Sequence, residues 1–200
     1  MFEFDGKKYA QASAHQKEWG KKLIGDLDLK GDEHILDLGC GDRALTAQLA
    51  DMVPQGSVLG IDASQGMIDA TSVNQRNNLR FTLMDINSLD FENEFDIVFS
   101  SATLHWVKDH EKLLKQTCAA LKETGFLRFN FAAEGNCSNF FRTVKTAMAL
   151  PEYSHYFIDF AWPWFMPEVD QYLALARRTP LRDKRSGARM PTDIYRTRQQ

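Results

Sequence analysis

The residues His34-Ile35-Leu36-Asp37-Leu38 run into Gly39-Cys40-Gly41, and a helical pattern begins directly afterwards. A short apolar run, a glycine turn and a helix in that order open a βα unit of a parallel sheet. The glycines let the backbone adopt conformations that a Cβ would forbid and come close to a ligand. The helix N-terminus behind them adds partial positive charge. Asp62 closes the next apolar run, about 20 residues after the turn, where a carboxylate can accept hydrogen bonds from ribose hydroxyls.

The alternation continues along the chain. Leu45, Leu49 and Met52 lie at helical spacing, and Pro54 and Gly56 break that helix. Residues 57–62 read as a second strand, and Ser64 is an N-cap for a helix carrying Met67 and Ile68. Residues 79–85 are a third strand, 95–100 a fourth and 126–131 a fifth, with a helix over 109–121 that Gly125 follows. Strands separated mostly by helices predict an α/β fold: a doubly wound, mostly parallel sheet with helices on both faces. Asp85 and Ile86 follow the third strand, so a carboxylate and an apolar side chain stand together where a flat base could be gripped. Beyond the fifth strand, 138–150 and 167–178 read as helices. Seven aromatics between Tyr153 and Phe165 either plug the core or line an apolar pocket.

Composition narrows the class. At 44% apolar and 26% charged residues the chain is that of a globular protein. Its longest apolar runs are a few residues, so no membrane span is expected, and Met1-Phe2-Glu3-Phe4-Asp5 lacks a secretory pattern. Cys40, Cys118 and Cys137 are odd in number without C-x-x-C spacing, which points to a reduced, cytoplasmic chain without disulfide or zinc. The net charge of −3 conceals a basic end: residues 176–200 hold eight basic and two acidic residues. The remaining body is acidic, which argues against a nucleic-acid groove.

These motifs, in this order, resemble the class I S-adenosylmethionine-dependent methyltransferases. Leu36 to Asp42 resembles their first motif and Gly60 to Ser64 the second, with Met67 following. Met84-Asp85-Ile86 resembles the third and Phe95 to Ala102 the fourth, while Leu121 to Phe131 is similar to the fifth strand and its approach. Thr103-Leu104-His105-Trp106-Val107 is similar to the trans-aconitate, juvenile hormone acid and malonyl-carrier-protein methyltransferases, which esterify carboxylates. Tyr9 and Gln16 to Gly20 resemble that group's leading helix.

The resemblance implies a cofactor, S-adenosylmethionine, released as S-adenosylhomocysteine, and a small-molecule acceptor with neither nucleic acid nor membrane as partner. It implies three segments: a cofactor-covering helical segment over 1–30, the cofactor-binding core over 31–135, and a substrate-side helical and aromatic segment with the basic end over 136–200. By the same resemblance Gly39 and Gly41 border the methionine part, with Asp37 and Ser100 beside them. Asp62 and Ala63 meet the ribose, and Met67, Asp85 and Ile86 the adenine. Tyr9, Gln16 and His105 stand near the sulfonium or the acceptor. A carboxylate acceptor needs no base, whereas an amine, phenol or carbon acceptor makes His105 the candidate base.

Two departures stand out. Arg43 occupies the place of the family's third glycine. Its side chain either fills space needed by the cofactor or pairs with the cofactor's carboxylate. The family's sixth strand and antiparallel seventh fall on residues 181–186 and 192–197, whose patterns are poor. A shortened end would expose sheet surface, and pairing of two copies is one way to cover it. Two rival readings use the same residues. One is a cofactor-impaired relative acting as a binding module. The other is a nicotinamide-dependent oxidoreductase, disfavoured by the order of the later motifs.

Overall fold

The computed structural model describes residues 14–71 and 76–179, with the backbone alone at 14–18, 70 and 71. Five strands form one parallel sheet: β1 (His34–Leu38), β2 (Ser57–Asp62), β3 (Leu79–Leu83), β4 (Phe95–Ser101) and β5 (Leu121–Asn130). Their spatial order is β3-β2-β1-β4-β5. The helices are α1 (Ala14–Gly25), α2 (Ala44–Met52), α3 (Gln65–Thr71), α4 (His110–Ala120), α5 (Ser138–Met148) and α6 (Val169–Arg178).

Alternation along the central strands builds two cores. Ile35 of β1 with Ile97 and Phe99 of β4 face one layer, against Ile24 of α1 and Leu49 of α2. Leu36, Leu38 and Val98 face the other, against Leu104 and Leu113. All of these side chains are fully buried or within a few per cent of it. Each contributes roughly 1.5–3 kcal/mol of apolar burial, so the two-sided sheet is the stabilising centre of the molecule. The doubly wound architecture expected from the sequence is present. The strand order reverses between β1 and β4, which opens a crevice at their carboxyl ends.

Four details differ from the sequence reading or extend it. The fifth strand begins at Leu121, straight out of α4, rather than at Phe126. Leu121 pairs with Phe95 and Phe126 with Ile97, so three extra residues of β5 are accommodated in a bulge. Lys122 holds the bulge through an ion pair to Asp96 at 2.7 Å, which favours extended chain where the sequence reads as a helix tail. Ser64 caps α3 as expected, its Oγ accepting from the Met67 N–H at 3.3 Å. The aromatic segment does not plug the core: Tyr153, Tyr156, Phe157 and Phe160 are exposed, and Trp162, Trp164 and Phe165 are half-buried. The sixth and seventh strands fall outside the described residues.

His110 joins three elements beneath the crevice. It is 2% exposed. Its Nε2 lies 3.0 Å from the Leu104 carbonyl oxygen and its Nδ1 3.1 Å from the Tyr172 hydroxyl. A carbonyl can only accept, so Nε2 carries the proton and Nδ1 accepts from Tyr172. Burial pushes this histidine below its usual pKa, consistent with that neutral form. Tyr172→Phe removes the donor and leaves a buried acceptor unpaired. The expected loss is about 1–2 kcal/mol of stability in urea melts at pH 7; an unchanged midpoint would mean that the hydroxyl is not what holds the ring.

Candidate active site

The turn after β1 is fixed by the end of β2. The Ile61 carbonyl accepts from Gly39 N–H at 2.8 Å and from Cys40 N–H at 3.0 Å. The Asp62 carboxylate accepts from Gly41 N–H at 3.0 Å and from Ser64 N–H at 2.9 Å, one on each oxygen. Gly39 holds φ 73°, and a Cβ there would lie 2.1 Å from Thr103 Cγ2. Only glycine lets the turn pass under the loop that follows β4. Thr103 closes the contact by donating from Oγ1 to the Gly39 carbonyl at 3.1 Å.

Two residues expected at the cofactor stand behind the turn instead. Asp37 is 3% exposed and accepts from Thr46 Oγ1 of α2 at 2.7 Å. Ser100 is fully buried and donates to the Leu38 carbonyl at 2.8 Å. Neither side chain reaches an open surface, so each braces the turn rather than touching a ligand. Burial pushes the Asp37 carboxyl up to about 7, the Thr46 hydrogen bond opposes that, and the Asp62 charge adds to it.

The remaining predicted residues fall into two groups along the crevice. Over β2 and β3 lie Asp62, half-buried Ala63 and Asp85. Asp85 caps a short 3-10 turn, its Oδ1 accepting from the Asn87 N–H at 2.8 Å. Met67 and Ile86 are 3% and 7% exposed, so most of each side chain serves the core. Arg43 adopts φ 66°, ψ −1° at the N-terminus of α2, the left-handed region that favours glycine. Its Nη1 is buried without a hydrogen-bond partner. Tyr9 lies outside the described residues, as does the Gln16 side chain; the Gln16 backbone belongs to α1.

Over β4 and β5 lies His105, on the wall of a cavity of about 310 Å³. Trp19 of α1, Ala102, Trp106, Phe141 of α5 and Trp164 share that wall. The aromatic strap is tied down over it: Phe165 N–H donates to the His105 carbonyl at 2.7 Å, and the Lys108 ammonium donates to the Trp162 and Trp164 carbonyls. Trp106 and Trp164 meet edge to face with centroids 5.6 Å apart. Desolvation pushes His105 down to about 4, and its Nδ1 is buried without a partner. The ring is therefore uncharged at neutral pH and a poor proton acceptor, which weakens its candidacy as a general base.

Sequence reasoning missed Thr46 and Thr103. The signal for Thr46 was an aspartate inside an apolar strand, which needs a donor from a neighbouring element. Thr103 opens the segment Thr103 to Val107 that carries the resemblance, but nothing in that pattern assigned it the contact with the glycine turn. Among the described residues no group of three or more His, Cys, Asp or Glu could hold a metal ion, and no helix is long and apolar enough to cross a membrane.

Comparison with known proteins agrees with this geometry. Residues 35–125 match the model of a methyltransferase-domain family. The chain is 42% identical over 93 residues to a trans-aconitate 2-methyltransferase of Deinococcus radiodurans, covering 46% of this chain and 35% of that protein. It is 31% identical over 149 residues to a malonyl-[acyl-carrier protein] O-methyltransferase of Acetivibrio thermocellus, covering 73% and 53%. The chain thus spans roughly a third to a half of these relatives. A solved phosphoethanolamine N-methyltransferase 2 of Haemonchus contortus, in complex with S-adenosyl-L-methionine, shares the fold at TM-score 0.65 and 20% identity, covering 83% of this chain and 37% of that one.

The brace at Asp37 has a pH signature. Its folded pKa lies above the unfolded value of about 3.9, so the folded state holds the proton more tightly. Its contribution to stability therefore falls as pH rises from about 4 to about 7. Asp37→Asn keeps an acceptor for Thr46 and cannot ionise. In thermal melts across that window the variant should gain on the wild type steadily and level off above pH 7. A constant difference would mean that Asp37 titrates normally.

Proposed function

We propose that this chain, whose residues 35–125 form a class I S-adenosylmethionine-dependent methyltransferase domain, transfers a methyl group from that cofactor to a small-molecule acceptor, at a carboxylate oxygen. The observation that carries the reading is the partition of the crevice. Hydrogen-bonding carboxylates lie over β2 and β3, and an aromatic-walled cavity lies over β4 and β5.

The chain offers each part of the cofactor chemically matched groups. Asp62 and Asp85 can accept from ribose hydroxyls and from an exocyclic amine. Each carboxylate oxygen has more than one lone pair, so the backbone donors already on Asp62 do not exhaust it. The orphaned Nη1 of Arg43 matches a carboxylate. When bound, the cofactor supplies a carbon already activated by positive sulfur, and displacement there needs only alignment and exclusion of water.

The residues of the second half do that work. Trp106, Trp164 and Phe141 give the cavity an apolar wall. His105 offers a hydrogen bond without charge. A carboxylate is ionised at neutral pH, so it attacks without a base, and a histidine pushed down to about 4 is compatible with that. The similarity to methyltransferases named for trans-aconitate and for malonyl groups on a carrier protein supports the same acceptor atom.

Isothermal titration with S-adenosylhomocysteine tests the reading. Micromolar binding is expected, with at least a ten-fold loss in Asp62→Ala; heats no greater than dilution in the wild type would defeat it. Arg43→Gly separates the two roles open for that residue. A pairing role predicts roughly ten-fold weaker binding of S-adenosylhomocysteine, the size of a lost charge-assisted hydrogen bond. It predicts no change for 5′-methylthioadenosine, which lacks the amino-acid end. Tighter binding of both ligands would show that the arginine obstructs.

A further inference from the structure

The cavity beside His105 has a charge property that the proposed reaction makes consequential. Its wall is built from tryptophan, phenylalanine, alanine, methionine, asparagine, cysteine and one histidine; among the described residues no lysine, arginine, aspartate or glutamate lines it. The histidine does not supply a cation, because desolvation pushes it down to about 4. The Lys108 ammonium is taken up by the Trp162 and Trp164 carbonyls, and Arg142 and Lys145 line a separate open groove of about 890 Å³ that shares Phe141 and Trp164 with the cavity. Both are exposed, and Arg142 already donates to Asn139 Oδ1 at 2.9 Å.

A buried carboxylate without a cationic or hydrogen-bonding partner costs several kcal/mol. In this cavity one carboxylate can be compensated, the reacting one, by the positive sulfur that it approaches and by a hydrogen bond from His105. A second or third carboxylate on the same molecule would meet only neutral groups such as the Asn130 and Asn136 amides, and no cation among the described wall residues. The aromatic surfaces of Trp106, Trp164 and Phe141 instead match a flat or aliphatic hydrocarbon body. From this juxtaposition of an aromatic wall with polar lining side chains that are all uncharged among the described residues, we infer that the acceptor is a monocarboxylic acid with an aryl or alkyl body, not a polycarboxylate such as trans-aconitate.

The inference rests on the methyltransferase reading and sharpens it. In the step itself the acceptor's carboxylate oxygen forms the new O–C bond as the methyl's bond to sulfur breaks. The electron pair stays on sulfur, and no proton moves. The products are a neutral ester and a neutral thioether. An ester product no longer has a charge for the aromatic wall to tolerate.

Three tryptophans line the cavity, so intrinsic fluorescence reports occupancy without turnover. The full chain is titrated with 4-phenylbutanoate and, separately, with trans-aconitate, each with S-adenosylhomocysteine and then with S-adenosylmethionine. Ester formation is followed by mass spectrometry. The expected result is saturable quenching by 4-phenylbutanoate, at least ten-fold tighter than by trans-aconitate, with its methyl ester as the product. Trp164→Ala should weaken 4-phenylbutanoate at least five-fold while leaving S-adenosylhomocysteine binding unchanged. As a variant that keeps an aromatic wall, Trp164→Phe should retain most of the affinity.

Equal or tighter binding of trans-aconitate, its preferred methylation, or saturation by neither acid would overturn the inference. In each of those cases retained S-adenosylhomocysteine binding in calorimetry leaves the methyltransferase reading standing. Loss of S-adenosylhomocysteine binding in the wild type would bring down both.

Discussion

The carboxylate of Asp62 and the neighbouring carbonyl of Ile61 hold the glycine turn in place, and the rest of the site is referred to that turn. Between them they take the N–H groups of Gly39, Cys40, Gly41 and Ser64. Without β2 supplying those acceptors, backbone donors in a turn facing a crevice would be unpaired. With them, the N-terminus of α2 is aimed across the carboxyl ends of the central strands. Thr46, carried by that helix, then reaches back to Asp37, and Thr103 seals the turn from the β4 side. A loop that touches ligand gains precision when its supports come from three separate elements.

The reversal of strand order between β1 and β4 turns this anchored loop into a boundary. On one side the strand ends present carboxylates, and on the other the chain presents aromatic rings. The aromatic side is built from residues distant in sequence: Trp19 from α1, His105 from the turn after β4, Phe141 from α5 and Trp164 from the strap. Gly20 lets α1 approach this region closely, because a Cβ there would lie 2.2 Å from the Leu45 side chain of α2. The strap is positioned by backbone carbonyls of Trp162 and Trp164 that accept from Lys108, and by the Phe165 N–H that donates to His105. Main-chain contacts of this kind fix where the rings stand without specifying what they hold.

The division also marks what could be read from the sequence. β1 and β2 are legible to the residue, because buried parallel strands are continuous apolar runs bounded by turn residues. The positions of Gly39, Gly41, Asp62 and Asp85 are legible for the same reason: they sit at fixed offsets from those strands. The start of β5 is not, since Leu121 to Gly125 continues the helix pattern of α4 and becomes extended only through pairing with Phe95 and the Lys122–Asp96 ion pair. Asp37 and Ser100 occupy motif positions, yet the sequence does not say which way their side chains turn. Thr46 settles the first by donating to Asp37, and the Leu38 carbonyl settles the second by accepting from Ser100. The aromatic cavity draws on segments more than a hundred residues apart, with Trp19 and Trp164 lining the same space, and no local pattern encodes that.

The two buried ionisable groups of the site are tuned in the same direction by one cause. Desolvation raises Asp37 to about 7 and lowers His105 to about 4, so each moves toward its neutral form. Behind the turn, that keeps a charge from accumulating beside Asp62, whose own charge already disfavours ionisation of Asp37. In the aromatic cavity, it leaves the described wall residues without a cation to compete for the carboxylate of the proposed acceptor. The positive sulfur is then the strongest electrostatic partner an ionised acceptor can find there. An acceptor carrying a single charge is thereby drawn with its reacting oxygen toward the carbon to be transferred. On the proposed reaction, the uncharged character of the described wall residues would contribute to alignment as well as to selectivity.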